Sequence, residues 1–234
     1  MFLPKIRFLT SEYNKSVVSA VGDQAPYTDL IDGRIPDIHW IVKHMDVGPD
    51  AHILEFGAWP TDNWRIVHNK WKNIMVTDSF EWFEGRTTPY PRTRDEWAVP
   101  LDAAEVWHGK LDVQSMEYED AFDAIYSVSV LEHVIDDDLA LQNIFRALKP
   151  GGLFIFTAEV NPYVGMQYDK DICFRVYDTS TLVSKVRDAG FTINDEIEDY
   201  SDFDEEFRAA INNPNLLRIP YANFASTALL ARRP

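Results

Sequence analysis

The sequence predicts an α/β fold, a largely parallel sheet with helices covering both faces. Three observations carry this reading. From residue 51 onward, short apolar runs alternate with amphipathic stretches, the pattern of successive strand–helix units. One run, 122–130 (Phe-Asp-Ala-Ile-Tyr-Ser-Val-Ser-Val), is almost continuously apolar, as a strand buried on both faces must be. Two earlier runs stop at acids, one at Glu55-Phe56-Gly57 and the next at Asp78, and a spacing of about 20 residues is that of a nucleotide-binding βαβ unit.

The elements follow in chain order. Residues 1–50 read as a helical or irregular extension, with 37–45 the best helical stretch and Gly48-Pro49 closing it. A compact apolar strand spans 51–56, and a short helix spans 62–70 with Asp62 or Thr61 as cap. A second strand, 74–77, ends at Asp78. Residues 80–100 carry Trp82, Phe83, Tyr90 and Trp97 among three prolines and three arginines, and read as a long structured loop. A weak strand at 106–111 ends at Asp112. After the strand at 122–130, Asp136, Asp137 and Asp138 precede a periodic helix through Leu148. Carboxylates at a helix start satisfy free amides and complement the dipole, so they are read as caps and not as metal ligands. Lys149-Pro150-Gly151-Gly152 stops that helix, and 153–157 is the next strand. A helix at 179–189 ends at Gly190, a strand follows at 191–197, and a last apolar stretch covers 224–231.

Composition narrows the class. At 234 residues, 46% hydrophobic and 26% charged, the chain suits one globular domain able to bury its own core. The net charge of −16 repels phosphate backbones and anionic membranes, so neither nucleic acid nor a membrane is an expected partner. A single cysteine, Cys173, excludes an internal disulfide and an all-cysteine metal cage. No apolar run reaches about 18 residues, and the first ten residues lack an apolar core. The expected location is cytoplasmic; the oligomeric state is not legible.

From the residues alone, Glu55, Gly57 and Asp78 indicate a nucleotide-like ligand. Glycine permits a tight turn against it, and the later carboxylate can accept from two ribose hydroxyls. Further along, 122–134 (Phe-Asp-Ala-Ile-Tyr-Ser-Val-Ser-Val-Leu-Glu-His-Val) is followed by Leu-Lys-Pro-Gly-Gly at 148–152. With Ile-Leu-Glu-Phe-Gly at 53–57, Asp78, and Leu-Asp-Val at 111–113, these segments resemble the class I S-adenosylmethionine-dependent methyltransferases over about residues 51–232. The resemblance implies a Rossmann-like seven-stranded sheet, mostly parallel, with its last strand antiparallel, and S-adenosylmethionine as cofactor. It implies a methyltransferase domain at 51–234, with 80–100 and 160–177 as substrate-side insertions.

The resemblance also implies roles. Gly57, with Ala58 after it, would bring the backbone close to the cofactor's amino-acid moiety, and Glu55 would lie beneath its ammonium group. Asp78 would hold the ribose, Asp112 and the Val113 amide would read adenine, and Ser127 would line the methionine end. Each position has a plainer alternative: strand-end polar residues for Glu55 and Asp78, a turn for Asp112, packing or capping for His133. The sequence departs from the family at Ala58-Trp59-Pro60, where glycines are usual. Trp59 must point away or form a wall, and Pro60 has no amide hydrogen to offer.

For methyl transfer to a hydroxyl the protein must supply alignment and a base. His133 and Glu159 are the candidate catalytic residues, beside the carboxyl ends of the fourth and fifth strands. No metal is expected. The acceptor would be a small molecule or a glycan sugar, methylated at oxygen or nitrogen. The Trp59-Pro60 departure keeps open a catalytically silent binding or scaffold protein. A nicotinamide-dependent oxidoreductase ranks last, because 57–62 lacks the glycine pattern that dinucleotide binding requires.

Overall fold

The structure, a computed structural model, describes residues 6–8, 35–81, 93–161, 166–170, 173–193 and 225–234. Its strands and helices, numbered here in chain order, are β1 (Ile6–Phe8), α1 (Ile35–His44), β2 (Ile53–Phe56), α2 (Trp64–Lys70), β3 (Ile74–Asp78), α3 (Arg94–Ala103), β4 (Trp107–Lys110), β5 (Phe122–Val128), α4 (Asp137–Ala147), β6 (Leu148–Val160), β7 (Gln167–Asp169), β8 (Phe174–Val176), α5 (Thr179–Asp188) and β9 (Ala225–Arg232). Short 3-10 turns at Val113–Ser115 and Leu131–His133 follow β4 and β5.

One sheet organises the chain, in the order β1-β9-β6-β5-β2-β3-β4. Strands β4, β3, β2, β5 and β6 run parallel, while β9 is antiparallel to both β6 and β1. Each face of this sheet has its own core. One core joins α1, α2 and α3 through Trp40, Ile41, Trp64, Val67, Trp97 and Leu101. The other joins α4 and α5 through Leu141, Ile144, Leu182 and Val186. Central strands therefore have apolar neighbours above and below, which is why β2 reads as an unbroken buried run.

Four expectations need correction. The count of seven strands is met only with β1; the 51–234 segment contributes six described strands to this sheet, and β7 and β8 pair apart from it. The strand expected at 191–197 contributes a single bridge, Thr192 to Arg232, and 194–197 lie outside the described residues. The last third of the supposed loop at 80–100 belongs to helix α3, which opens on a capping box between Thr93 and Glu96 and carries Pro100 inside it. Trp82, Phe83 and Tyr90 lie outside the described residues. Helix α2 starts at Trp64 behind Asn63, with neither Thr61 nor Asp62 as its cap. Thr61 Oγ1 instead donates to the Ala58 carbonyl, and Asp62 pairs with Arg65 at 3.4 Å.

Elsewhere the expected devices are present. Asp136 caps α4 through the Leu139 amide, and Gly190 ends α5 at φ +103°. Among the described residues no three His, Cys, Asp or Glu side chains converge as a metal group would need, and no helix is long and apolar enough to cross a membrane.

Candidate functional site

The chain leaves β2 toward α2 on one face and leaves β5 toward α4 on the other. Adjacent parallel strands whose connections part to opposite faces open a crevice at their carboxyl ends, where ligands of doubly wound sheets bind. Residues 55–60, 78–80 and 127–133 surround this crevice.

Gly57 turns the chain there at φ +71°. A Cβ on it would lie 2.4 Å from both Val130 methyl carbons. The glycine is thus required twice, by its left-handed backbone and by the β5 loop packed on it. Ala58 is buried, and its amide donates to the Thr77 carbonyl at 3.0 Å, tying the turn to β3.

Glu55 is 2% exposed and pairs in register with Tyr126 on β5. The Tyr126 hydroxyl donates to Glu55 Oε2 at 2.5 Å. Burial pushes the Glu55 carboxyl up to about 8, reduced by the tyrosine bond and reinforced by Asp78 and Asp62. At neutral pH Glu55 is therefore protonated, in a setting where a nearby cation would ionise it.

Asp78 ends β3 and is also buried, which raises it to about 6 even though the Phe80 and Trp59 amides and Arg94 pull the other way. Its Oδ1 accepts from the Phe80 amide at 2.6 Å and its Oδ2 from the Trp59 amide at 3.1 Å. The Trp59-Pro60 peptide is cis. The Trp59 ring meets the edge of Phe80, Phe80 meets Trp97, and Trp97 meets His108, with centroids 5.8–6.2 Å apart. Trp59 is thus one end of an aromatic wall beside Asp78. Trp97, expected on a substrate loop, is buried in that wall with Nε1 donating to the Thr61 carbonyl. Arg94 covers the Phe80 ring at 4.0 Å.

Asp112 caps the 3-10 turn that follows β4, accepting from the Gln114 amide at 2.9 Å and from its side chain. Val113 is buried, and its carbonyl accepts from Asn143 on α4. Ser127, near the end of β5, is fully buried, and its hydroxyl has no hydrogen-bond partner among the described residues.

His133 and Cys173 clasp each other. His133 Nδ1 lies 3.0 Å from the Cys173 carbonyl, and the Cys173 thiol donates to the His133 carbonyl at 2.8 Å. A carbonyl only accepts, so Nδ1 carries the proton and Nε2 is the acceptor nitrogen. Glu159, on β6, is 4% exposed, on the same face as Thr157 two residues before it. The structure thus places Glu55, Gly57, Ala58, Asp78 and Ser127 at the carboxyl ends of β2, β3 and β5, with Asp112 and Val113 past β4, His133 past β5, and Glu159 inside β6 one residue before its end.

A family described as "Methyltransferase domain" matches residues 98–156. The solved phosphoethanolamine N-methyltransferase 2 of Haemonchus contortus, in complex with S-adenosyl-L-methionine, superposes with a TM-score of 0.62 at 16% identity, over 96% of this chain and 57% of that one. The fold is that of the class I S-adenosylmethionine-dependent methyltransferases. In sequence the chain is similar to the sterol 24-C-methyltransferase of Yarrowia lipolytica, 25% identical over 171 residues, 66% of this chain and 43% of that protein. The chain therefore spans less than half the length of that relative. A 4+2 cyclase, SpnF, shares the methyltransferase fold with a TM-score of 0.63 at 19% identity, over 96% of this chain and 95% of that one.

Sequence reasoning missed Tyr126, Asp37, Ser129 and Thr157. Tyr126 sits in an apolar strand like any core aromatic, and only the β2–β5 register puts it against Glu55. A polar pair inside the run, Ser127 and Ser129, was the one visible sign that this strand end faces something other than core.

Proposed function

We propose that the chain binds S-adenosylmethionine at the crevice beyond β2, β3 and β5 and transfers its methyl group to a small-molecule or sugar acceptor, at oxygen or nitrogen. The observation that carries the reading is the pair of buried carboxylates, Glu55 and Asp78, at the carboxyl ends of adjacent parallel strands. No dehydrogenase glycine pattern accompanies them. The solved N-methyltransferase with S-adenosyl-L-methionine supports the same cofactor here. The cyclase of the same fold is the reason the activity rests on the site and not on topology.

The donor set suits this cofactor. Glu55 is held protonated by burial and by two neighbouring acids, so an incoming ammonium restores its charge and its hydrogen bonding. Asp78 retains carboxylate lone pairs beyond those given to Trp59 and Phe80, and these would receive the ribose hydroxyls. Asp112, Val113 and the aromatic wall would flank the adenine; Gly57, Ala58 and Ser127 would border the methionine end.

When bound, the cofactor supplies an electrophilic methyl group on a sulfonium. The chain's own residues align the acceptor, exclude water and take its proton. Glu159 is the assigned base for a hydroxyl acceptor, and His133, with Nε2 as its acceptor nitrogen, is the second candidate.

Thermal shift with S-adenosylmethionine, S-adenosylhomocysteine and NAD tests the cofactor. Stabilisation by the first two and not by NAD is expected; no shift with either would refute the reading.

A further inference from the structure

The amino-terminal helix reaches the same sheet edge through one buried carboxylate. Asp37, in the first turn of α1, is 2% exposed, and its Oδ2 accepts from Thr157 Oγ1 on β6 at 3.0 Å. Thr157 Oγ1 in turn lies 3.1 Å from the Ser129 amide, and the Thr157 carbonyl accepts from that amide as well. With its proton committed to Asp37, the threonine hydroxyl can only accept from Ser129. The three residues thus form a directed chain: the Ser129 amide donates to Thr157, and Thr157 donates to Asp37.

Ser129 is the unusual member. It sits one residue past β5 at φ +50°, a conformation that residues with side chains rarely adopt. Strained positions of this kind concentrate at ligand sites, where surrounding contacts hold them in place. Here the bifurcated hydrogen bond from its amide to the Thr157 carbonyl and hydroxyl does the holding. Its hydroxyl is nine-tenths buried, yet has no hydrogen-bond partner among the described residues. A buried hydroxyl without a partner is destabilising, and a ligand that bonds it regains that free energy. Next to it, Val130 packs on the Gly57 turn, so Ser129 stands at the crevice between β2 and β5. Asp78, the ribose residue, lies to the β3 side. Thr157, Glu159 and Asp37 lie to the β6 side, where the reacting end of the cofactor would meet an acceptor.

We propose that Ser129 contacts the acceptor's nucleophilic heteroatom, and that Asp37 is a positioning residue acting on Ser129 through Thr157. The ligand class is a group carrying a hydrogen on nitrogen or oxygen, an amine or an alcohol, received by the Ser129 hydroxyl beside the transferred methyl. In the reaction, the heteroatom's lone pair forms the new bond to the methyl carbon. The sulfur–carbon bond breaks toward sulfur, and the heteroatom's proton passes to a carboxylate on this edge, Glu159. The inference rests on the cofactor reading above.

Sinefungin provides a probe that needs no knowledge of the acceptor. It is the cofactor analogue in which a carbon bearing an amine replaces the sulfonium and its methyl, so its amine occupies the position from which the methyl departs. The measurement is the ratio of dissociation constants, S-adenosylhomocysteine over sinefungin, by calorimetry on the full chain. Ser129→Ala and Asp37→Ala are each expected to reduce this ratio about tenfold, the scale of one hydrogen bond to a charged group, with S-adenosylhomocysteine affinity held within about twofold. Asp37→Asn, whose amide oxygen still accepts from Thr157, is expected to keep the ratio. Equal weakening of both ligands, or an unchanged ratio in Ser129→Ala, would overturn the proposal while leaving the cofactor reading intact. Failure of either ligand to bind the wild-type chain would overturn both.

Discussion

The Trp59 amide donates to the carboxylate of Asp78 across two strand ends, at 3.1 Å. A loop that lacks the usual glycines is thereby tied to the acid expected to hold the ribose. In a glycine-rich turn such amides are free to face the ligand. Here the Trp59 amide preorganises Asp78 instead, and the indole adds an aromatic wall beside it.

Asp78→Ala is therefore expected to act on binding and on the loop together. Loss of a charged hydrogen-bonding partner weakens S-adenosylhomocysteine binding roughly tenfold to a hundredfold. The Trp59 and Phe80 amides lose their acceptor, and the melting temperature falls by several degrees without loss of the fold. Calorimetry and a melting curve check the two effects. Unchanged affinity would remove Asp78 from the site.

Glu55 makes both stability and binding depend on pH. Its carboxyl stands at about 8 in the fold against an ordinary 4.5. Between these values the folded state holds a proton that the unfolded chain has released. The stability contributed by the protonated group is present in full below the ordinary value and is lost as pH rises through about 8. Melting temperatures from about pH 5 to about pH 9 should fall along this window, and Glu55→Gln should flatten the slope. Binding runs the other way: a cationic cofactor prefers the ionised carboxylate, so affinity rises up to about pH 8 in the wild type only.

Gly57→Ala tests the turn. A side chain at φ +71° costs on the order of 1–2 kcal/mol, and overlap with the Val130 methyls adds about 1–3 kcal/mol. Denaturant midpoints should show the sum, and Val130→Ala in the same chain should recover part of the overlap but none of the backbone cost. A neutral Gly57→Ala would contradict the packing described here.

The hairpin β7–β8 and helix α5 are pinned to the 3-10 turn after β5 by a buried ion network. Arg175 lies 3.6 Å from Asp137 and donates to the Val134 and Ile135 carbonyls, while Tyr177 and Lys185 also bond Asp137. Asp137→Ala leaves a buried guanidinium without its counter-charge and should cost about 3–5 kcal/mol. Tyr177→Phe, which removes one neutral donor, should cost about 1 kcal/mol. Urea unfolding compares the two, and equal losses would contradict the network.

For the chemistry, Glu159→Gln is expected to lower methyl transfer to a hydroxyl acceptor about 10²–10⁴-fold with S-adenosylhomocysteine affinity preserved. Single-turnover transfer after binding separates these quantities. A matching loss from His133→Ala instead would move the base to the imidazole.

The alternation of strands and helices, the order β2-α2-β3 and the caps at Asp136 and Gly190 were legible because they are local. Apolar period, turn residues and cap residues act within a few positions of themselves. The candidate pair Glu55 and Asp78 was legible for the same reason, each closing its own strand. What the sequence alone determined is thus a doubly wound sheet with acids at two neighbouring carboxyl ends. Helix α3 escaped, because its residues stand in a stretch with three prolines that reads as loop, one of which, Pro100, lies inside the helix.

Tertiary structure decided everything that depends on register between distant strands. Tyr126 meets Glu55 only because β2 and β5 pair, and β1 completes the sheet only because β9 leaves it an edge. Asp37 reaches Thr157 across 120 residues of chain. No local pattern encodes such contacts, since they arise from which faces the packed cores bring together. The same packing turns Trp59, out of place in the loop by family pattern, into the residue that holds Asp78 in position.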